Sequence, residues 1–193
     1  MTRQDRLTQW MAKSAAVRAR MLAGGGKPGL AQPDSIAEKT GMDVMQAMLA
    51  SELPYPHIAE TLDFALIAVE PGKAVFQGAP PLKHYNPLGT VHGGCYAVLL
   101  DSAVGCGEHT MMLVSRGYAT AALSVNIVRS ASYATEPLRA MARSSTAANN
   151  WPRPKAASSG RTASFMRIPP PAWCSGCRRR ATPRWPDSAT ATA

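Results

Sequence analysis

The sequence predicts an α+β domain in which an antiparallel sheet curls around one central helix. Three observations predict it. The stretch from Cys95 to Met112 contains no proline and is apolar on most faces, as expected of a helix wrapped by other structure. Before it, DFALIAVEPGKAVFQGAP offers two runs rich in Val, Ile, Phe and Ala joined by Pro71-Gly72, the pattern of a β-hairpin. After it, Gly117 to Val128 alternates as a strand and Leu138 to Arg143 begins another, so the order is strand, strand, helix, strand, strand.

At 193 residues, 46% of them hydrophobic, the chain has room for one ordinary domain plus extensions. Residues 1–35 contain GGGKPG and QPD and carry only a weak stripe of Leu7, Trp10, Met11, Val17 and Met21; they are expected to form a flexible extension with one short helix. From Ser35 the pattern sharpens. Ile36, Met42, Met45, Met48 and Leu49 recur at helical spacing and stop before Pro54 and Pro56, which opens a domain spanning 36–143. Residues 144–193 have no Leu, no Val and a single Ile among many Pro, Arg, Ala, Ser and Thr, and are expected to supply no strands.

The net charge of +9 suggests nucleic acid until its location is considered. Residues 1–143 hold 13 Lys and Arg against 11 Asp and Glu, whereas 144–193 hold 8 against 1. The basic excess therefore belongs to the tail. No apolar run approaches the ~20 residues of a membrane span, and MTRQDRLTQWMAKSAAVRARM lacks the apolar core of a secretory signal, so the expected location is cytoplasmic. Reduced thiols follow from that location.

Asn86 to Gly105, NPLGTVHGGCYAVLLDSAVG, carries the candidate chemistry. Gly93 and Gly94 stand where a helix begins, so their N–H groups lack intrahelical partners and the helix dipole adds positive character. Such a place suits a developing oxyanion, and glycine lets a carbonyl approach the backbone. Asp101 is the charged group, with Asn86 and His92 as flanking polar groups. A polarised carbonyl together with a carboxylate that attacks it, or activates water, is equipment for acyl hydrolysis. Taken singly, a His-Gly-Gly is a weak signal, and an isolated Asp on a helix is more often a solvated or hydrogen-bonded structural residue.

The whole run HYNPLGTVHGGCYAVLLDSAVGC resembles the signature of the hotdog-fold acyl-CoA thioesterases of the PaaI type, in which an Asn-Pro-x-Gly turn leads to His-Gly-Gly and an Asp follows nine residues after the His. Upstream, LDFALIAVEPGKAVFQGAP is similar to that family's first hairpin. Downstream, RGYATAALSVNIVRSA is similar to the strand after its helix, so the resemblance covers roughly residues 40 to 143. It implies a hotdog fold, Asp101 as base or nucleophile, the Gly93 amide polarising the thioester carbonyl, and Asn86 and His92 orienting substrate and loop. Gly94 joins the substrate-binding set. Where many relatives place a Ser, Thr or Glu on the strand facing the helix, this chain offers Ala121 and Ala122, with Ser124 or Asn126 as compensating groups.

Asp101 lies eight residues after Gly93, ~12 Å along a helix at 1.5 Å per residue, too far for one thioester carbon to meet both. The expected site therefore combines the amide of one subunit with the carboxylate of another across a two-fold interface. Cys95 and Cys106 sit in apolar helix with no base at contact spacing, which favours core packing over nucleophilic thiols. His84 and His109 are expected at the surface or in loops.

Cys174-Ser-Gly-Cys177 before three Arg has the look of half a zinc site, a redox pair or a phosphate patch, but no second Cys/His pair accompanies it. The genetic code offers another account. Rebuilding each codon from the third base of one residue and the first two of the next forces Leu-Ala across Asn150-Trp151-Pro152 and permits LATAEGRL. Near Met166 the same shift permits LYAH, and Pro169 to Ser175 permit TTCLVF with its Val forced by Trp173. These segments resemble the last two strands of the same thioesterases, and they arise where the chain loses its apolar residues. Residues from about Ser144 onward are thus expected to be a frameshifted, disordered tail, leaving the fold without its last strands and making the CxxC an accident.

The resulting expectation is hydrolysis of an acyl- or aroyl-CoA thioester by a homodimer or dimer of dimers, without metal or redox cofactor, and with neither nucleic acid nor membrane as partner. Two alternatives stay open: a truncated inactive relative that at most binds acyl-CoA, and a nucleic-acid binder acting through the basic tail.

Overall fold

In a computed structural model of the chain, residues 2–23, 27–120, 123–132, 137–143 and 164–167 are described. The predicted hairpin is present as β1 (Phe64–Glu70) and β2 (Lys73–Gly78), with Gly72 at φ 68 in the turn, where a left-handed residue is needed. β3 (Leu138–Arg143) pairs antiparallel with β2, Lys73 opposite Arg143 and Gly78 opposite Leu138. The central helix, α5 (Gly93–His109), crosses the inner face of this sheet.

Side-chain alternation divides the sheet. Phe64, Leu66, Ala74, Phe76, Leu138, Ala140 and Ala142 face α5, burying its Tyr96, Leu99, Leu100 and Ala103 in one core. Phe64 and Phe76 meet edge-on at 5.7 Å. Ahead of the hairpin lie short helices α2 (Pro33–Ile36) and α4 (His57–Thr61) and, between them, α3 (Gly41–Ala50). The α3 start is fixed by a capping box in which Thr40 and Asp43 satisfy each other's backbone N–H groups.

Three features differ from the sequence-based expectation. Residues 3–23 form one long helix, α1 (Arg3–Ala23), docked on the outer face of the sheet. Its stripe includes the buried Ser14 in place of Met11, which is 50% exposed, and Val17 packs against Ala65, Ile67 and Val75. Trp10 lies over the Arg139 guanidinium, and Arg18 bridges to Asp63 at 2.8 Å. A modest stripe sufficed because the sheet's outer face supplied the apolar partner that the local sequence did not reveal.

Gly117 to Val128 forms no strand among its described residues. The sheet order β1-β2-β3-β4 places β4 (Ser164–Arg167) on the edge of β3, so that edge is closed to the 117–128 segment. That same β4 corrects the expectation that residues 144–193 supply no strand: backbone ladders need only N–H and C=O groups, and Ser164–Arg167 provides them, Met166 opposite Ala140. It falls on the codons whose shifted frame permits LYAH. The strand is short, and Val98 and Val104 of α5 remain only partly buried. The rest of 144–193, with Cys174 and Cys177, and Ala121 and Ala122, lie outside the described residues. No helix among the described residues is long and apolar enough to cross a membrane.

Candidate functional site

The loop before α5 is a closed hydrogen-bonded unit. The Asn86 amide oxygen accepts from the Leu88 and Thr90 backbone N–H groups at 2.9 and 3.2 Å, and its Nδ2 donates to Thr90 Oγ1 at 2.8 Å. Asn86 is thereby committed to shaping the loop. Its backbone N–H also donates to the Thr90 carbonyl.

His92 caps the helix: its Nδ1 accepts from the Gly94 N–H at 3.0 Å. In a neutral ring this places the proton on Nε2. The His92 N–H donates to the His84 carbonyl, tying the helix start to the 3-10 turn Leu82–His84. Of the two glycine amides, Gly94 is therefore engaged in the cap, while Gly93 N–H has no partner among the described residues. A side chain added at Gly93 would meet Ile127 Cδ1 at 3.4 Å.

Beside this helix start lies an open groove of about 360 Å³, lined among others by Leu62, His84, Tyr85, Gly94, Cys95 and Val98. Its walls are largely apolar, and Lys83 stands at its rim. Cys95 is half-buried, burial pushes its thiol up, and its Sγ donates to the His84 carbonyl at 3.6 Å. Cys106 is pushed up to about 12 by burial and then by the Asp101 charge. Neither thiol is activated as a nucleophile. His84, in the loop before α5 as expected, and His109, which instead ends the helix itself, are both half-buried, and burial lowers the His109 pKa.

Asp101 sits two turns into α5, half-buried, with Oδ1 accepting a 2.8 Å hydrogen bond from Thr120 Oγ1. Ser124 and Asn126 are exposed, and the hydroxyl that meets the carboxylate is that of Thr120. The described residues among 118–131 meet the helix in reverse order: Tyr118 meets Gly105, Thr120 meets Asp101, Ile127 meets Gly93, and the Ala131 N–H donates to the Tyr96 hydroxyl at 2.7 Å. Leu123, Ile127 and the 96% exposed Val128 leave apolar surface on this segment uncovered. Thr120 escaped the sequence reading by one position. Its only sequence signal is the two-residue alternation that also includes Tyr118. Among the described residues, no three His, Cys, Asp or Glu side chains cluster as a metal site requires.

The fold is similar to that of a phenylacetic acid degradation-related protein of thioesterase type from Ralstonia eutropha, with 26% identity over 55% of this chain and 80% of that one, at a TM-score of 0.50. A mutant of the phenylacetic acid degradation protein PaaI from Thermus thermophilus is 31% identical over 45% of this chain and 70% of its own, at 0.38. Thioesterase superfamily member 2 from Mus musculus is 19% identical over 57% and 74%, at 0.41. The last two superpose too loosely to add to the first. No family model and no curated protein matches the chain.

Proposed function

The chain belongs to the PaaI-like hotdog-fold thioesterases, and from that premise we propose that it hydrolyses an acyl- or aroyl-CoA thioester. The observation that carries this reading is one helix bearing both an uncommitted amide, Gly93 N–H, at its dipole-positive start and a hydroxyl-held carboxylate, Asp101, two turns further on. The Gly93 N–H donates to the thioester oxygen as negative charge develops there. Either Asp101 takes a proton from water as that water attacks the carbonyl carbon, the carbon–sulfur bond breaks and the proton passes to the leaving CoA sulfur, or the carboxylate attacks directly, CoA leaves as the thiolate, and water then cleaves the acyl–Asp101 anhydride, releasing the acid and supplying the proton that the thiolate takes up.

Along the helix the two groups are ~12 Å apart. The proposed site is therefore shared, Gly93 of one subunit working with Asp101 of the other. The exposed apolar flank of residues 123–128 supports an interface beside both groups. The groove of Leu62, Tyr85 and Val98 suits an apolar acyl or aroyl group. Asn86 and His92 act by fixing the loop and the helix start, and Gly94 by holding that cap. Thiol release from a panel of acyl- and aroyl-CoA thioesters tests the proposal; a folded chain that binds these thioesters and releases no thiol refutes it.

A further inference from the structure

Gly105 follows Asp101 by four residues, one turn along the same helix face. A Cβ on Gly105 would press on the Tyr118 hydroxyl and lie 2.7 Å from its Cε2 and 2.8 Å from its Cζ, so any larger residue would force the phenol to shift from its place against the helix. His109, one further turn along, packs at a tilt against the same ring, with centroids 5.7 Å apart at 54°. Tyr118 is thus seated in a notch between two turns of α5. Burial, and then the nearby Cys106 and Asp101, push its phenol pKa up, which agrees with a seat beside that carboxylate.

Two residues beyond Tyr118 stands Thr120, whose hydroxyl holds Asp101. Side chains two apart in an extended segment project to the same side, and here they meet the helix one turn apart, Tyr118 over Gly105 and Thr120 over Asp101. The described residues of the segment take part in no sheet ladder that would set its register. Opposite the middle of α5, the contacts that place residues 118–120 are these two, while Ile127 and Ala131 meet the helix nearer its start. We infer that Tyr118, seated in the Gly105 notch, is a positioning residue for Asp101: it fixes residues 118–120 so that Thr120 orients the carboxylate.

This inference rests on the thioesterase reading for its kinetic consequence, but its geometry is tested separately. Gly105→Ala fills the notch while favouring helix, since alanine is the better helix former, so it does not act by unravelling α5. In the full chain it is expected to abolish the nuclear Overhauser contact between the Tyr118 ring and the helix, to shift the Thr120 methyl resonance, and to lower kcat roughly ten- to a hundredfold at constant KM. Tyr118→Ala, at a half-exposed position, is expected to do the same, with Tyr118→Phe recovering most of the rate because the ring remains. A raised KM at unchanged kcat would make Tyr118 a substrate contact and overturn the inference. So would an unmoved Thr120 resonance in both variants. If the unsubstituted chain releases no thiol, the thioesterase reading falls, and the Overhauser contact and the Thr120 resonance still decide the notch.

Discussion

If Gly93 of one subunit works with Asp101 of the other, two inactive proteins should restore each other. Asp101→Asn keeps the shape of the side chain and removes its basicity. Gly93→Val drives a side chain into the space bordered by Ile127 Cδ1, which would lie 3.4 Å from its first carbon, and crowds the amide that a thioester oxygen must reach. Each homodimer then has two dead sites. A hybrid dimer has one site with both defects and one site with neither. Equal mixing with free exchange makes about half the dimers hybrid, each with one working site of two, so about a quarter of the unsubstituted activity should return. Thiol release, measured before and after exchange and alongside native mass spectrometry to count hybrids, provides the assay. The ~12 Å between the groups is what makes the test sharp: a site contained in one subunit would need both on the same chain, and mixing would restore nothing. Hybrids present at half the population with activity no higher than either homodimer would refute the shared site.

Asp101→Asn alone is expected to lower kcat at least about a hundredfold with an unchanged circular dichroism spectrum, and Thr120→Val to lower it less; near-normal turnover in Asp101→Asn would remove that residue from the chemistry. Ile67, buried beneath α1 with Val17 and Val75, should cost about 2–5 kcal/mol of stability when replaced by alanine, and a melting temperature unchanged by Ile67→Ala would show that α1 does not cover the sheet. With its thiol pushed up to about 12, Cys106 has only about one thiolate in ten thousand at pH 8, so mass mapping of the natively alkylated chain should find Cys95 modified before Cys106. The nucleotide sequence over codons 140–150 is expected to show a one-base slip, and the frame-restored chain, with a longer strand on the edge of β3 to cover Val98 and Val104, should melt at a higher temperature than the 193-residue chain; an equal melting temperature would sink that account.

The β1–β2 hairpin was legible because its turn is local: Pro71-Gly72 between two β-prone runs specifies both strands and their pairing. The start of α5 was legible for a similar reason, as His-Gly-Gly marks it, while the helix ends at His109, three residues short of Met112, to which the proline-free apolar run was expected to carry it. Residues 117–128 were misread because alternation describes the segment alone, whereas a strand also needs a ladder partner, and the described residues of this segment pair with none of the four strands. Docking of α1 depended on the far side of the sheet, where Ala65, Ile67 and Val75 wait for Val17. Thr120 was missed in favour of Ala121 and Ala122 because which residue of an extended segment faces the helix is a question of register. Here the register is set by Tyr118 against Gly105, a contact that no local pattern announces.

Because the amide and the carboxylate share one helix, α5 acts as a ruler, and its graduations are angular as well as linear. One residue inserted between Gly93 and Asp101 would turn the carboxylate by about 100° and advance it by about 1.5 Å, swinging it away from the Thr120 hydroxyl while leaving the capped start in place. Changes of side chain along this stretch alter packing by degrees, but a change of length breaks the alignment at once. The distance from the helix start to its carboxylate is therefore the dimension that this site can least vary, whereas the exposed loop of residues 113–117 ahead of the segment has slack to lengthen.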